Sequence, residues 1–426
     1  MAESTLNVFM DGIPTGQLHQ TRTGDLRFRY DPGYRANPHA TPLSLSMPLL
    51  VEEHRKRAVL PFFDGLLTDS FQARQALATR YRTTAASTFR LLEAIGADVA
   101  GALQILPPGE SCTDTPGPDN QVGAVSEAEL GELLRTVVAE YRDGRPSDAS
   151  FGRFSLAGAQ PKIALTSLNG AWGIPHGAVP TTHIFKPSLG GFNRLDLVEH
   201  MTMRAAAHLD LEVSTTEIHL IDEIPCLVTT RYDRSFDGTR WHRLHQEDLT
   251  QALSVMSDKK YQHDDGGPGV GAIAQLLRAL PLAEDRLPVA QAFYCALVFN
   301  VLARCTDAHA KNYSLLLNEQ SVRLAPLYDL ATIAPHATPR EPTYSAMRIG
   351  DHHRFSSISL ADFLMTARTL GLDTDWASQI VTRFRAQLPG AFESARDDVA
   401  RTSPDSLTDA TAVLTAVTSW IPVPLA

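Results

Sequence analysis

The chain has 426 residues, 43% of them hydrophobic and 20% charged, which is the balance of a soluble globular protein too long for one hydrophobic core. Its 38 Lys and Arg against 48 Asp and Glu leave a net charge of −10, which argues against non-specific nucleic-acid binding through a general basic surface. Four cysteines with no CxxC pair (Cys112, Cys226, Cys295, Cys305), no basic-then-apolar leader and no membrane-length apolar run disfavour a disulfide scaffold, a structural zinc site and a membrane span. A cytoplasmic setting is the expectation.

In chain order, Leu6–Met10 and Asp25–Tyr30 read as strands around a turn at Asp11-Gly12, followed by short helices over Ser70–Tyr81 and Ser87–Ala94. Prolines, glycines and small polar residues from Pro107 to Asn120 read as a linker. Ser126-x-x-Glu129 spells a capping box, and Leu130, Leu133, Leu134, Val137, Val138 and Tyr141 follow at helical spacing. Ile163–Thr166 and Thr182–Lys186 are strand-like, Leu195–Leu209 is helical, and Thr215–Ile221 with Pro225–Thr230 forms a hairpin around Asp222-Glu223. Ser257–Gly271, polar and glycine-rich, is expected to be a mobile loop. Pro288–Ala303 is apolar nearly all round and reads as a buried central helix, and the tail from Leu360 to Trp420 as amphipathic helices. A strand-rich half followed by a helix-rich half predicts a two-lobed α+β body, with a cleft between lobes as a natural ligand site. The expected division is 1–106, a linker over 107–120, a strand-rich lobe over 121–234 and a helical lobe over 235–426.

The segment richest in chemistry is Cys305-Thr-Asp-Ala-His-Ala-Lys-Asn312, between the buried helix and the strand-like Tyr313–Leu317. The run Leu324–Asp329 then reads as a second strand ending in a carboxylate. An amide oxygen from Asn312 and a carboxylate from Asp329, a hairpin apart, suit Mg²⁺ shared with phosphate. Asp307 is placed to orient a hydroxyl and take its proton, and Lys311 to neutralise phosphate charge, which together are the parts of phosphoryl transfer. Taken singly, Asp307 and Asn312 are equally readable as turn caps. His309 has no second histidine at ligand spacing, which disfavours a metal site built on it. The small residues Ala157, Gly158 and Ala159, in Ser155-Leu-Ala-Gly-Ala-Gln-Pro-Lys162, let backbone N–H groups approach a phosphate, although a small-residue turn before a strand is common. Lys186 either snorkels to solvent or reaches phosphates, held there by Glu199 through a charge-assisted pair. Thr230-Arg-Tyr-Asp233 ends the hairpin and can offer backbone groups to an adenine edge, with a surface Arg231–Asp233 ion pair as the plainer reading.

These segments, with Arg243-Leu-His-Gln-Glu-Asp248, Asp264-Asp-Gly-Gly-Pro-Gly269, Pro326-Leu-Tyr-Asp329, Phe62-Phe-Asp-Gly-Leu-Leu67 and Leu91–Ala102, resemble the HipA family of serine/threonine-kinase toxins of bacterial type II toxin–antitoxin systems, in order over nearly the whole chain. The resemblance implies a bilobal protein-kinase-like fold with an added N-terminal subdomain. It also implies ATP and Mg²⁺ as cofactors. Asp307 corresponds to the catalytic base and Asn312 and Asp329 to the Mg²⁺ ligands. Ala157, Gly158, Ala159, Gln160, Pro161 and Lys162 correspond to a flexible phosphate-covering loop, and Lys186 to the phosphate lysine. Thr230, Arg231 and Tyr232 correspond to the adenine hinge, with further nucleotide contacts at His309, Ala310, Lys311, Asn312, Tyr328 and Asp329. Ser155 corresponds to a self-inactivating autophosphorylation site. The implied partners are a HipB-like helix-turn-helix antitoxin, glutamyl-tRNA synthetase as substrate, and operator DNA mainly through the antitoxin, since Leu364–Gly371 keeps only Arg368 as a basic residue. A catalytically silent co-repressor and a small-molecule phosphotransferase are the competing functions.

Overall fold

The structure is a computed structural model that describes residues 3–110, 112, 122–144, 146, 155–168, 170–176, 179–188, 194–338 and 341–420. Most of the expected linker therefore lies outside the described residues. The chain divides into two compact units: Met1–Pro187 with His219–Asp258 and Leu316–Gln320, and Ser188–Ile218 with Lys259–Leu315 and Ser321–Ala426. This division differs from the four spans expected from composition. The N-terminal module and the strand-rich segment share a unit, and the helix Leu195–Ala207 groups with the C-terminal helices.

The first unit opens with β1 (Ser4–Met10), β2 (Ile13–Gln20), β3 (Leu26–Tyr30), β4 (Glu53–Arg55) and β5 (Leu103–Leu106), joined in the antiparallel order β4-β3-β2-β1-β5. Asp11 and Gly12 both take positive φ, which gives the tight turn whose twist suits a hairpin. The strand after that turn carries Pro14 and Gly16 and so escapes a reading by pattern alone. At Gly16 a Cβ would stand 2.3 Å from the carbonyl oxygen of Arg29, so only glycine lets the strands approach there. Leu6, Val8, Leu18, Phe28 and Tyr30 alternate inward onto Phe62, Phe63, Leu91 and Leu92, each side chain worth about 2 kcal/mol of burial. The helices expected over Ser70–Tyr81 and Ser87–Ala94 are present as Phe71–Arg80 and Thr88–Ile95, each opened by a serine, Ser70 or Ser87, whose side chain accepts from the N–H three residues on.

A second sheet sets β6 (Val122–Ala124), β7 (Ile163–Leu168), β8 (Ala171–Pro175), β9 (His183–Pro187), β10 (Thr216–Ile221) and β11 (Ile224–Thr230) in the order β10-β11-β9-β7-β8-β6. Asp222 and Glu223 turn the β10–β11 hairpin with positive φ. The helix Glu127–Asp143, opened by the expected capping box at Ser126, buries Leu130, Leu134 and Val137 against Ile163, Leu165, Phe185 and Val228.

The second unit is helical around Ala283–Leu302, which buries Val289, Ala290, Phe293, Tyr294 and the run Ala296–Val301 and begins five residues before Pro288. Thr374–Thr402 packs along Leu195–Ala207, where Asp398 receives Arg204 and His208 at 2.8 and 2.9 Å. The segment Ser257–Gly271 is not the open loop expected. It contains two short helical turns, Ser257–Lys259 and Gln262–Asp265, closed by the Gly267 N–H donating to the Tyr261 carbonyl at 2.9 Å. Among the described residues, no helix is long and apolar enough to cross a membrane, and the four cysteines are free thiols.

Candidate functional site

The segment around Asp307 is launched by the end of the central helix. Arg304 adopts a left-handed φ of +55°, the Arg304 N–H donates to Val301 O at 3.2 Å, and the Cys305 N–H donates to Asn300 O at 2.8 Å, which is a Schellman ending built without glycine. The Arg304 guanidinium, 4.7 Å from the Trp420 ring centroid and 5.7 Å from that of Phe355, anchors this left-handed residue. The next turn closes on itself. The His309 N–H donates to Asp307 O at 2.8 Å, the Asn312 N–H to His309 O at 2.9 Å, and Asn312 Nδ2 to Asp307 O at 2.7 Å. A 3-10 turn over Ala310–Asn312 then feeds the strand Ser314–Asn318.

Asp307 points its carboxylate outward, with a side chain 57% exposed, and receives the Tyr261 hydroxyl on Oδ1. His309 lies buried beneath, its Nε2 3.7 Å from the same oxygen. Burial, aided by Lys260, pushes the His309 pKa down to about 3, so the imidazole is neutral at physiological pH and is no ion-pair partner for Asp307. Asp329 is within electrostatic reach of His309. It does not end a strand, because Ser321–Leu324 stops five residues earlier and Asp329 itself has φ +59°. The intervening run is held by the Leu327 N–H donating to Glu212 O and the Ser214 N–H donating to Leu327 O, both at 2.8 Å. Tyr328 gives its hydroxyl to Lys311 O at 2.8 Å and meets Ser314 Oγ at 2.7 Å, so it fixes the carbonyl of a buried lysine.

The donor set suits a hard cation. Asn312 commits its amide nitrogen to Asp307 O, which leaves the amide oxygen as the end that can bind metal, and Asp329 adds a carboxylate. Among the described residues no group of three or more His, Cys, Asp or Glu could hold a metal.

The other predicted residues lie in the first unit, apart from Glu199. Lys186 is buried in the middle strand β9, opposite Leu227 of β11, and Glu199 is buried on Leu195–Ala207 of the second unit. The segment Ser155–Lys162 is pinned. Ser155 gives its hydroxyl to Leu66 O at 2.8 Å and its N–H to Asp98 O at 2.9 Å. Gly158, at φ +105°, accepts from Thr68 Oγ1 and the Asp69 N–H on its carbonyl. Lys162 turns back to donate to Ala157 O at 2.8 Å, while Ala159 is exposed and Gln160 and Pro161 are half-buried. A cavity of about 60 Å³ touching Ser155, Lys162, Arg80 and Tyr141 is far smaller than a nucleotide.

Arg231 differs most from expectation. Its ion pair with Asp233 exists but is buried, with the guanidinium bidentate on Asp233 at 2.9 and 3.0 Å and donating also to Thr181 and Val99 O. Its N–H donates to Thr182 O at 2.9 Å, and the Tyr232 hydroxyl donates to Gln246, so this stretch offers fewer open groups than a bare hinge would. Asp98 and Arg234 complete a buried network that sequence reading missed, since spacing in the chain carries no sign of it. Tyr261, the donor on Asp307, was hidden in the supposed loop.

The chain is similar to known proteins along most of its length. A HipA N-terminal domain model matches residues 6–106 and a HipA-like C-terminal domain model matches 154–392. Y4mE of Sinorhizobium fredii, a kinase by name, is 34% identical over 414 residues, covering 95% of this chain and 93% of its own. A serine/threonine-protein kinase toxin HipA of Shewanella oneidensis is 30% identical over 318 residues, covering 72% of this chain and 70% of its own. The solved structure of Shewanella oneidensis HipA in complex with HipB and operator DNA superposes with a TM-score of 0.81 at 23% identity, covering 97% of this chain and 96% of that one. The α+β, kinase-like fold expected from the sequence is therefore the fold observed. With both domain models matched in order, the chain belongs to the HipA family.

Proposed function

We propose that the chain is the toxin of a type II toxin–antitoxin system: an ATP- and Mg²⁺-dependent serine/threonine protein kinase that phosphorylates a translation component and arrests growth. Glutamyl-tRNA synthetase is the first substrate to test. The observation that carries this reading is the Asp307 turn, where the Asn312 amide donates to the main-chain carbonyl of Asp307, the Asp307 carboxylate is exposed, and Asp329 is within electrostatic reach of His309 in the same turn. The kinase names of the relatives and the HipB partner of the solved structure support it.

On this reading Asp307 accepts the proton of the acceptor hydroxyl as that oxygen bonds to the γ-phosphorus and the bond to the β-phosphate oxygen breaks, releasing ADP. Asn312 and Asp329 would hold Mg²⁺, which when bound would supply charge neutralisation to the phosphates. Lys186 and the loop Ala157–Lys162 would carry further phosphate contacts, and backbone groups at Thr230–Tyr232 would meet the adenine. His309, Ala310, Lys311 and Tyr328 shape the floor of the phosphate end. A HipB-like helix-turn-helix antitoxin neutralises the toxin and supplies most of the contact with operator DNA. Phosphorylation at Ser155 then switches the enzyme off, because nearly two negative charges enter a loop built to meet phosphates.

Expression of wild type and Asp307→Asn in a host without the antitoxin tests the kinase reading. Wild type should stop growth and transfer label from γ-labelled ATP to host protein, and Asp307→Asn should do neither. Equal growth arrest by both would favour a co-repressor instead.

A further inference from the structure

The glycine-rich segment Asp264–Gly269 has no part in the phosphate or metal assignments, yet it is built to closer tolerances than a connecting loop needs. A Cβ on Gly267 would stand 2.1 Å from Lys259 O, and one on Gly269 would stand 2.2 Å from Gln262 Nε2. The Gly267 N–H donates to Tyr261 O at 2.9 Å, and Gln262 Oε1 accepts the Arg348 N–H at 2.7 Å, which ties the turn to the strand Tyr344–Ile349. The product of this construction is the position of one side chain, Tyr261. Its ring stands edge-to-face on buried His309, with centroids 4.8 Å apart at 81°, Lys260 Nζ lies 5.6 Å from its centroid, and its hydroxyl donates to Asp307 Oδ1.

We propose that Tyr261 is a positioning residue for the base: by donating to one oxygen of the Asp307 carboxylate it fixes the side chain so that the other oxygen meets the acceptor hydroxyl. The hydrogen bonds to Asp307 O from His309 and Asn312 set its backbone, whereas the Tyr261 hydroxyl acts on the carboxylate itself. A carboxylate more than half exposed has several rotamers, and a base that visits the productive one part of the time loses rate in proportion. The buried His309 ring acts as the platform on which the Tyr261 ring rests. The inference rests on the proposed kinase reading.

The test uses the full chain, γ-labelled MgATP and the acceptor that wild type labels. Tyr261→Phe keeps the ring on His309 and removes only the hydroxyl. It should lower the transfer rate at saturating MgATP about 10- to 100-fold, with an unchanged KM for MgATP and an unchanged melting temperature. Tyr261→Leu, which also loses the ring, should be no more active than Tyr261→Phe. Gly267→Ala, which forces the turn to move, should reproduce the loss of rate with the tyrosine still present. A Tyr261→Phe enzyme as fast as wild type reduces Tyr261 to packing, and a faster one makes its hydroxyl a block at the base; either result overturns the proposal. If wild type labels no acceptor, the kinase reading itself fails and this inference with it, an outcome recognisable because it needs no variant.

Discussion

The side-chain amide of Asn312 donates to the main-chain carbonyl of Asp307 at 2.7 Å, so the residue assigned to the metal also sets the backbone of the residue assigned to the proton. Replacing it therefore injures both functions at once. Asn312→Ala should lower phosphoryl transfer about 100-fold and raise the Mg²⁺ concentration needed for half-maximal rate. Asn312→Asp keeps an oxygen ligand but sets a carboxylate against the Asp307 carbonyl where a donor stood, so it should also fall well below wild type. A Mg²⁺ titration of both variants separates the two losses, and chelation of Mg²⁺ should abolish transfer in all three proteins.

Asp98 and Arg234 pair at 2.8 Å with both side chains buried, inside a network of three arginines (Arg231, Arg234, Arg243) and two aspartates (Asp98, Asp233). Burial penalises the charged form of Asp98, yet Arg234, Arg231 and Arg243 outweigh it and hold its pKa at about 2. Asp98→Asn would leave three buried guanidinium groups facing one carboxylate, and should destabilise the protein by about 3–5 kcal/mol in urea unfolding. The folded value lies below the ordinary 3.8. The contribution of this group is therefore complete above pH 3.8 and is lost as the pH falls toward 2, so acid unfolding of wild type should be steeper than that of the variant.

What could be read from the chain alone follows a physical division. Caps and turns are local, so Ser87, Ser126 and the Asp222-Glu223 turn stand where the sequence predicts. The apolar run after Pro288 is the buried helix expected, although its first turn, Ala283–Leu287, carries Glu284, Asp285 and Arg286 and hides the start. Interactions between residues far apart in the chain were not legible. Arg231 reads as a hinge residue until Asp98, 133 positions away, is known to face it. Tyr261 reads as part of a polar loop until the folded turn delivers it to Asp307, 46 positions on.

Ser155 Oγ donates to Leu66 O at 2.8 Å in a buried setting, so the proposed phosphoacceptor is not presented to solvent in this conformation. Phosphorylation there requires the loop to leave Leu66 and Thr68 first, and once modified the loop has no room to return. Ser155→Ala should cost about 1–3 kcal/mol of stability, because it takes this donor from the buried Leu66 carbonyl. In prolonged incubation with MgATP the wild type should gain one phosphate on the peptide carrying Ser155 and lose activity in parallel. Ser155→Ala should keep its initial rate throughout. Mass spectrometry with a matched activity time course checks both, and loss of activity at equal pace in the variant would exclude Ser155 as the switch.

Glu247 is buried against the N-terminal module, accepting Ser44 Oγ at 2.5 Å and the Leu45 N–H at 2.8 Å. Those donors favour its charged form, but desolvation, helped by Asp248, wins and raises the pKa from 4.5 to about 8. The folded state therefore holds a proton that the unfolded state has released between these two values, so the stability Glu247 contributes is complete below pH 4.5 and is lost as the pH climbs through 8. Glu247→Gln removes the titration while keeping an oxygen for Leu45 and a polar end for Ser44. Wild type and variant should respond alike to every other ionising group, so the difference between their unfolding free energies in urea isolates this one carboxyl. That difference should move in favour of the variant from pH 5 to pH 8.5, by an amount on the order of 4 kcal/mol at most. A difference that stays flat across this range would mean that Glu247 is ionised in the folded protein, with its two donors holding the charge against burial.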